Sequence, residues 1–301
     1  MSQRIIITIF FSILFLAGCQ KPDPISLTSP DNGQQSSVEV VTPGTTVAPL
    51  VSTSNIDSSK YFPTLESKSF GNLIIEGSQY DSPTEHHEAA AAIAVFYNRT
   101  SPVVINRDTL FNTLDPGTIT VDQLALRSMT QVHSFHERPD TAFGTQYLLY
   151  AEDNVGGKGF SFDGGREYEW KSAGSIQLPS FDLTIATPEE IHIVSPDVRT
   201  TIRLSSNLVV RWTGGADTIR ILIRAMEGDT PGKLWFQLRL NKNNGRVIIP
   251  EAVLALLPHD HSEFMFSFTS SNTSRVPLNG FSGDVLIQTV TTHNLVLHVK
   301  P

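Results

Sequence analysis

From Tyr61 onward, aromatic and β-branched residues come in short runs, and Gly, Pro, Asn or Asp closes each run. That punctuation constrains the fold more than any other feature of the chain. Runs of about four to eight such residues with period-two alternation suit half-buried strands, and the breakers between them supply turns. The strands expected in the first half are Leu73-Ile74-Ile75-Glu76, the alternating Ala91, Ile93, Val95 and Tyr97, then Val103-Val104-Ile105, Ile119-Thr120-Val121 and Tyr147-Leu148-Leu149-Tyr150. Tyr168-Glu169-Trp170 and Phe181 to Ile185 complete them. Ser82-Pro83-Thr84-Glu85 reads differently. Ser as cap, Pro at the first position and Glu three residues on predict a helix start, which Ala89 to Ala92 would extend.

The second half, from about Pro188, repeats the pattern. Leu208, Val210 and Trp212 share one face of a strand, and Ile219, Ile221 and Ile223 share one face of the next. Gly214-Gly215-Ala216-Asp217 is a turn between them, and Asn243-Asn244-Gly245 turns the Leu234-to-Leu240 strand into Arg246-Val247-Ile248-Ile249. Pro250 to Leu257 predicts a short helix before the Phe264-to-Phe268 and Leu295-to-Val299 strands. The reading is an all-β fold of two β-sandwich-like domains, 61–187 and 188–301. The Phe181-to-Ile185 strand is the place where the halves could share a sheet.

Residues 188–301 resemble an immunoglobulin-like or fibronectin type III-like sandwich. The resemblance rests on the Leu208-to-Trp212 strand, the Ile219-to-Arg224 strand and the Gly245-to-Pro250 hairpin exit. A Trp ending an early strand packs between the sheets in those folds, so Trp212 is expected in the core. Folds of this kind host many roles, and the architecture does not choose one.

The N-terminus carries a separate signal. Arg4, the apolar run Ile5 to Leu16 and a small-residue exit have the build of a secretory signal peptide over 1–18. The run is shorter than the ~20 residues of a spanning helix. Leu16-Ala17-Gly18-Cys19 resembles the lipobox of bacterial lipoproteins, and Cys19 is the chain's one cysteine. The resemblance implies lipid attachment at Cys19 (diacylglycerol plus an N-terminal acyl chain such as palmitate) and anchoring to a membrane. With Gln20 rather than Asp after the Cys, it implies the cell outer membrane. Residues 19–60, rich in Ser, Thr, Pro, Gly, Asn and Gln, are expected to be a disordered tether. A strand could begin within them at Val38-Glu39-Val40-Val41.

With a net charge of −8, the chain is a poor partner for phosphate backbones, so nucleic acid is not expected. No second cysteine is present to make a disulfide with Cys19, so the cores must supply the stability. No cofactor is expected. Candidate chemistry is sparse. His133-Ser134-Phe135-His136, with Glu137 or Asp140, is the nearest approach to a metal motif, but two His three apart face together only on a helix. Glu85-His86-His87-Glu88 and His259-Asp260-His261 read as solvated polar groups. The Asp153-Asn154 and Asp163 turns are the only approach to a Ca²⁺ loop. No Gly-x-Ser-x-Gly elbow and no phosphate loop occur, and Gly156-Gly157-Lys158-Gly159 reads as a hairpin turn. Catalytic and metal residues are therefore assigned to none. Tyr168, Trp170 and Trp235 are candidates for an aromatic surface that grips a glycan or an envelope protein. The expectation is a non-catalytic binding or scaffolding lipoprotein. The alternative is a carbohydrate-active or other hydrolytic one, with a carboxylate pair drawn from distant strands.

Overall fold

The computed structural model describes residues 25–28, 35–40, 69–105, 108–135, 138–152, 160–228, 230–279 and 283–300. The strands begin with β1 (Ile25–Thr28), β2 (Gln35–Val40), β3 (Gly71–Asp81), β4 (His86–Ile105), β5 (Asp108–Thr113) and β6 (Ile119–Val121). There follow β7 (Leu124–Ala125), β8 (Arg127–Phe135), β9 (Arg138–Glu152), β10 (Glu167–Ser172) and β11 (Phe181–Ala186). The second half contributes β12 (His192–Ser195), β13 (Thr201–Arg203), β14 (Leu208–Thr213), β15 (Ile219–Glu227), β16 (Thr230–Leu240) and β17 (Arg246–Ile249). One helical turn, α1 (Glu251–Leu254), precedes β18 (Glu263–Pro277) and β19 (Asp284–Lys300). The chain is all-β, as its punctuation predicts.

A 12-stranded sheet dominates, in the order β1-β2-β16-β15-β18-β19-β3-β4-β9-β8, with β13 on β19 and β5 on β4. Its centre is the parallel pairing of β19 with β3, which runs from Val285↔Gly71 to Leu295↔Asp81. Strands from both halves of the sequence thus form one ladder. The halves share this sheet through β3 and β19. They do not share it through the Phe181-to-Ile185 strand, which lies in a separate four-stranded sheet, β11-β10-β6-β7. A three-stranded sheet, β12-β14-β17, is the third layer element.

Each small sheet covers one half of the large one. The core under β12-β14-β17 joins Leu208, Val210 and Trp212 to Ile219, Ile221 and Ile223, to Phe264, Phe266 and Phe268, and to Leu295 and Leu297. Trp212 meets Phe268 with ring centroids 5.4 Å apart, as a Trp between two sheets should. Val253, Leu254 and Leu257 close one end of this core, which is why Pro250 to Leu257 folds into a helical turn. The second core, under β11-β10-β6-β7, joins Leu73, Ile75, Phe96, Tyr168, Trp170, Phe181, Val285 and Ile287. Burying each large side chain contributes about 1.5–3 kcal/mol.

One expectation is corrected, and the strand expected near Val38 falls within β2. Residues 82–85 are the turn of the β3–β4 hairpin. The Ser82 hydroxyl accepts the N–H groups of Thr84 and Glu85, and Ser82 N–H donates to the Glu85 carbonyl at 2.9 Å. A Ser that can cap a helix caps a tight turn with the same bonds. The alanines that follow are strand, paired Ala89↔Ser78 to Ala92↔Ile75, because pairing on both sides outweighs their helix propensity. Within the stretch read as tether, Ile25–Thr28 and Gln35–Val40 form a hairpin, and Val40↔Phe236 to Ser36↔Leu240 adds it to the edge strand β16. The β-branched Val38 and Val40 are the local reason.

Candidate functional site

The described residues concentrate their polar chemistry where the two cores meet. The face of β19 toward the small sheets changes character along its length: Val285 and Ile287, then Thr289, Thr291 and His293, then Leu295, Leu297 and Val299. The middle three are buried yet polar. A sheet that serves two cores must carry a crossover between its small sheets, and the backbone of that crossover needs partners. The seam provides them. Thr289 Oγ1 and Asn272 Nδ2 both donate to the Ala186 carbonyl. The Ile191 N–H donates to Thr291 Oγ1 at 3.2 Å. Ser270 donates to the Thr218 carbonyl and accepts the Ala216 N–H.

At one end of the seam stands a cluster centred on Asp81. His293, 2% exposed, places Nε2 2.8 Å from Asp81 Oδ2 and Nδ1 3.1 Å from the Ile191 carbonyl and 3.2 Å from the Ile193 nitrogen. Asp81 Oδ1 meets His86 Nδ1 at 2.5 Å across the β3–β4 pair, and Gln79 Nε2 donates to Oδ2 at 3.3 Å. His192 reaches Gln79 Oε1 at 3.2 Å. The His293 contact, followed by that of His86, holds the Asp81 carboxyl below the usual carboxylate range against the opposing effect of burial. This arrangement ties β3, β4, β12 and β19 together, and the half-exposed rings of His86 and His192 are its solvent face.

The aromatic candidates fall elsewhere. Tyr168 and Trp170 are 1% and 0% exposed and sit in the core, which corrects their reading as a ligand-gripping surface. The signal was present in Glu167-Tyr168-Glu169-Trp170-Lys171-Ser172, whose strict alternation sends both rings inward and the charges outward. The Tyr168 hydroxyl is spent on structure, accepting the Asp163 N–H at 2.7 Å and donating to the Ser161 carbonyl. Trp235 is partly buried against the other core, so the structure does not bring the three rings together. Trp212 is core, as expected.

His86 and His87 pair with carboxylates, His86 with Asp81 and His87 with Glu85 at 3.3 Å, and His261 contacts the Met226 carbonyl. Asp163 is paired with Arg166 at 2.8 Å. Among the described residues, no group of three or more His, Cys, Asp or Glu could hold a metal ion. Cys19, His136, Glu137, Asp153 and Asn154 lie outside the described residues, as do the side chains of His133 and Asp140. The seam escaped the sequence reading, although its trace is visible: along one parity of β19, apolar residues give way to Thr, Thr and His and then resume.

No family model and no curated protein matches the chain. Among solved structures, the yeast delta-COP-I mu-homology domain is 7% identical with a TM-score of 0.26, covering 78% of this chain and 100% of that one. The full ectodomain (Ig1–Ig3) of mouse nectin-like molecule 4 is 10% identical with a TM-score of 0.17, covering 77% of this chain and 64% of that one. These scores are too low for fold detail or function to be carried across.

Proposed function

We propose that this chain is a lipid-anchored, exported bacterial protein that acts as a non-catalytic binding or scaffolding module at the cell envelope. Leu16-Ala17-Gly18-Cys19, placed directly after an apolar run with a basic start, carries the anchoring half of the reading. More than one acyl chain makes such anchoring stable, since each buried CH₂ contributes about 0.8 kcal/mol. The module half is supported by how the polar groups are used. In the Asp81 cluster the His293 nitrogens face a carboxylate and backbone groups, and the Thr291 hydroxyl holds a backbone N–H. The membrane, through the lipid, is the first partner, and an envelope protein or glycan is the second.

The test compares the wild type with Cys19→Ser, expressed in a bacterium, by intact mass and membrane fractionation. The proposal expects lipid mass and outer-membrane residence for the wild type and neither for the variant. Equal behaviour of the two, with no added mass, contradicts it.

A further inference from the structure

His293 Nδ1 faces two backbone groups of opposite kind. The Ile193 N–H needs a lone pair, and the Ile191 carbonyl needs a proton. One ring nitrogen serves only one of them at a time. A neutral ring with its proton on Nε2 accepts from Ile193 and turns that proton toward Asp81. A charged ring carries protons on both nitrogens, so it loses the Ile193 bond and gains the Ile191 carbonyl. We propose that His293 is a pH-operated hydrogen-bond switch in the crossover between the two cores. Its Nδ1 holds the Ile193 N–H when the ring is neutral and the Ile191 carbonyl when the ring is charged.

The location gives the switch leverage. Residues 186–193 are the chain segment that passes from β11, over one core, to β12, over the other. Ile193 is the last paired residue of β12 before its ladder to β14 shifts register, between Ile193 and Ser195. Moving one hydrogen bond from residue 193 to residue 191 therefore acts at the start of the three-stranded sheet. Titratable groups surround the ring from each element packed there. Asp81 on β3 faces Nε2, and His86 on β4 shares that carboxylate, with Glu88 3.6 Å beyond. Glu190 and His192 flank Ile191 on the crossover, 3.8 Å apart. Nδ1 stands between a donor and an acceptor on the same crossover, and this placement gives the element its two arrangements.

The test follows the full chain between pH 8 and pH 5. Imidazole ¹⁵N shifts of histidine-labelled protein report the His293 tautomer and charge, assigned by the signal lost in His293→Asn. Amide hydrogen exchange over residues 190–195, corrected for its intrinsic pH dependence, reports the Ile193 bond. The expected result is a neutral ring protonated on Nε2, with Ile193 exchange about tenfold faster once the ring is charged, the size of one hydrogen bond. His293→Asn should make the corrected exchange independent of pH. If that variant does not fold, the His293 ring is assigned in the wild type by its through-space contacts to the Ile191 and Ile193 backbone, and the wild-type titration decides. A neutral ring protonated on Nδ1, or Ile193 protection unchanged across the ring's titration, overturns the proposal.

Discussion

Gly77 shows how closely the second core is packed. A Cβ added there would lie 2.2 Å from the Phe162 ring, which itself stacks on Tyr168 at 6.2 Å. The obstacle is the body of an aromatic ring packed on another ring, so it cannot swing aside freely. Gly77→Ala should lower stability by about 1–3 kcal/mol. That loss would appear as a lower denaturant midpoint at unchanged slope. Glu76, one residue earlier, points to the opposite face and is buried with Oε1 unpartnered among the described residues. Burial raises its carboxyl well above the ordinary value. A carboxyl raised in the folded state keeps its proton there after the unfolded chain has lost it, so stability falls as pH rises above about 4.3. Glu76→Gln should match the wild type near pH 4 and be more stable at pH 7. Thermal midpoints at the two values decide it, and a variant less stable at pH 7 would count against the account.

Among the elements, those set by local patterns were legible before any coordinates. The Leu208-to-Trp212 and Ile219-to-Ile223 faces and the Pro250-to-Leu257 turn of helix all follow from spacing, whereas the turn at Gly245 is not a hairpin: it carries the chain from β16 in the large sheet to β17, which pairs β14 in the three-stranded one. Gly214 and Gly215 take φ of +76° and +78°, as a two-glycine turn allows. At Gly214 the requirement is doubled, because a Cβ would fall 1.7 Å from the Glu190 carbonyl oxygen on the crossover. Gly214→Ala combines backbone strain with a backbone clash and should cost roughly 2–5 kcal/mol. Its damage should centre on the crossover, with exchange over 186–193 rising before exchange in β14. Elements whose signal was shared by two local structures were not legible. Ser82 caps a turn as readily as a helix. At Tyr168 and Trp170 ring chemistry points to a surface, but the alternation around them assigns both side chains to the core.

At the scale of the whole molecule, the pairing of β3 with β19 was hidden from sequence, because parallel pairing across some two hundred residues leaves no local turn to mark it. Period-two alternation states that a residue faces a core. It does not state which strand lies beside it. The consequence is thermodynamic. A boundary drawn at 188 predicts two domains that could unfold in turn. Val276, Leu278, Val285 and Ile287 come from the second half and pack in the core of the first, and β18 and β19 run through both cores. The two cores should therefore unfold together. The most direct test is scanning calorimetry of the lipid-free Cys19→Ser chain, comparing the calorimetric with the van't Hoff enthalpy. One transition with the two enthalpies equal is what a shared sheet predicts. Two separable transitions would mean that the cores are independent domains and that the β3–β19 ladder does not join them.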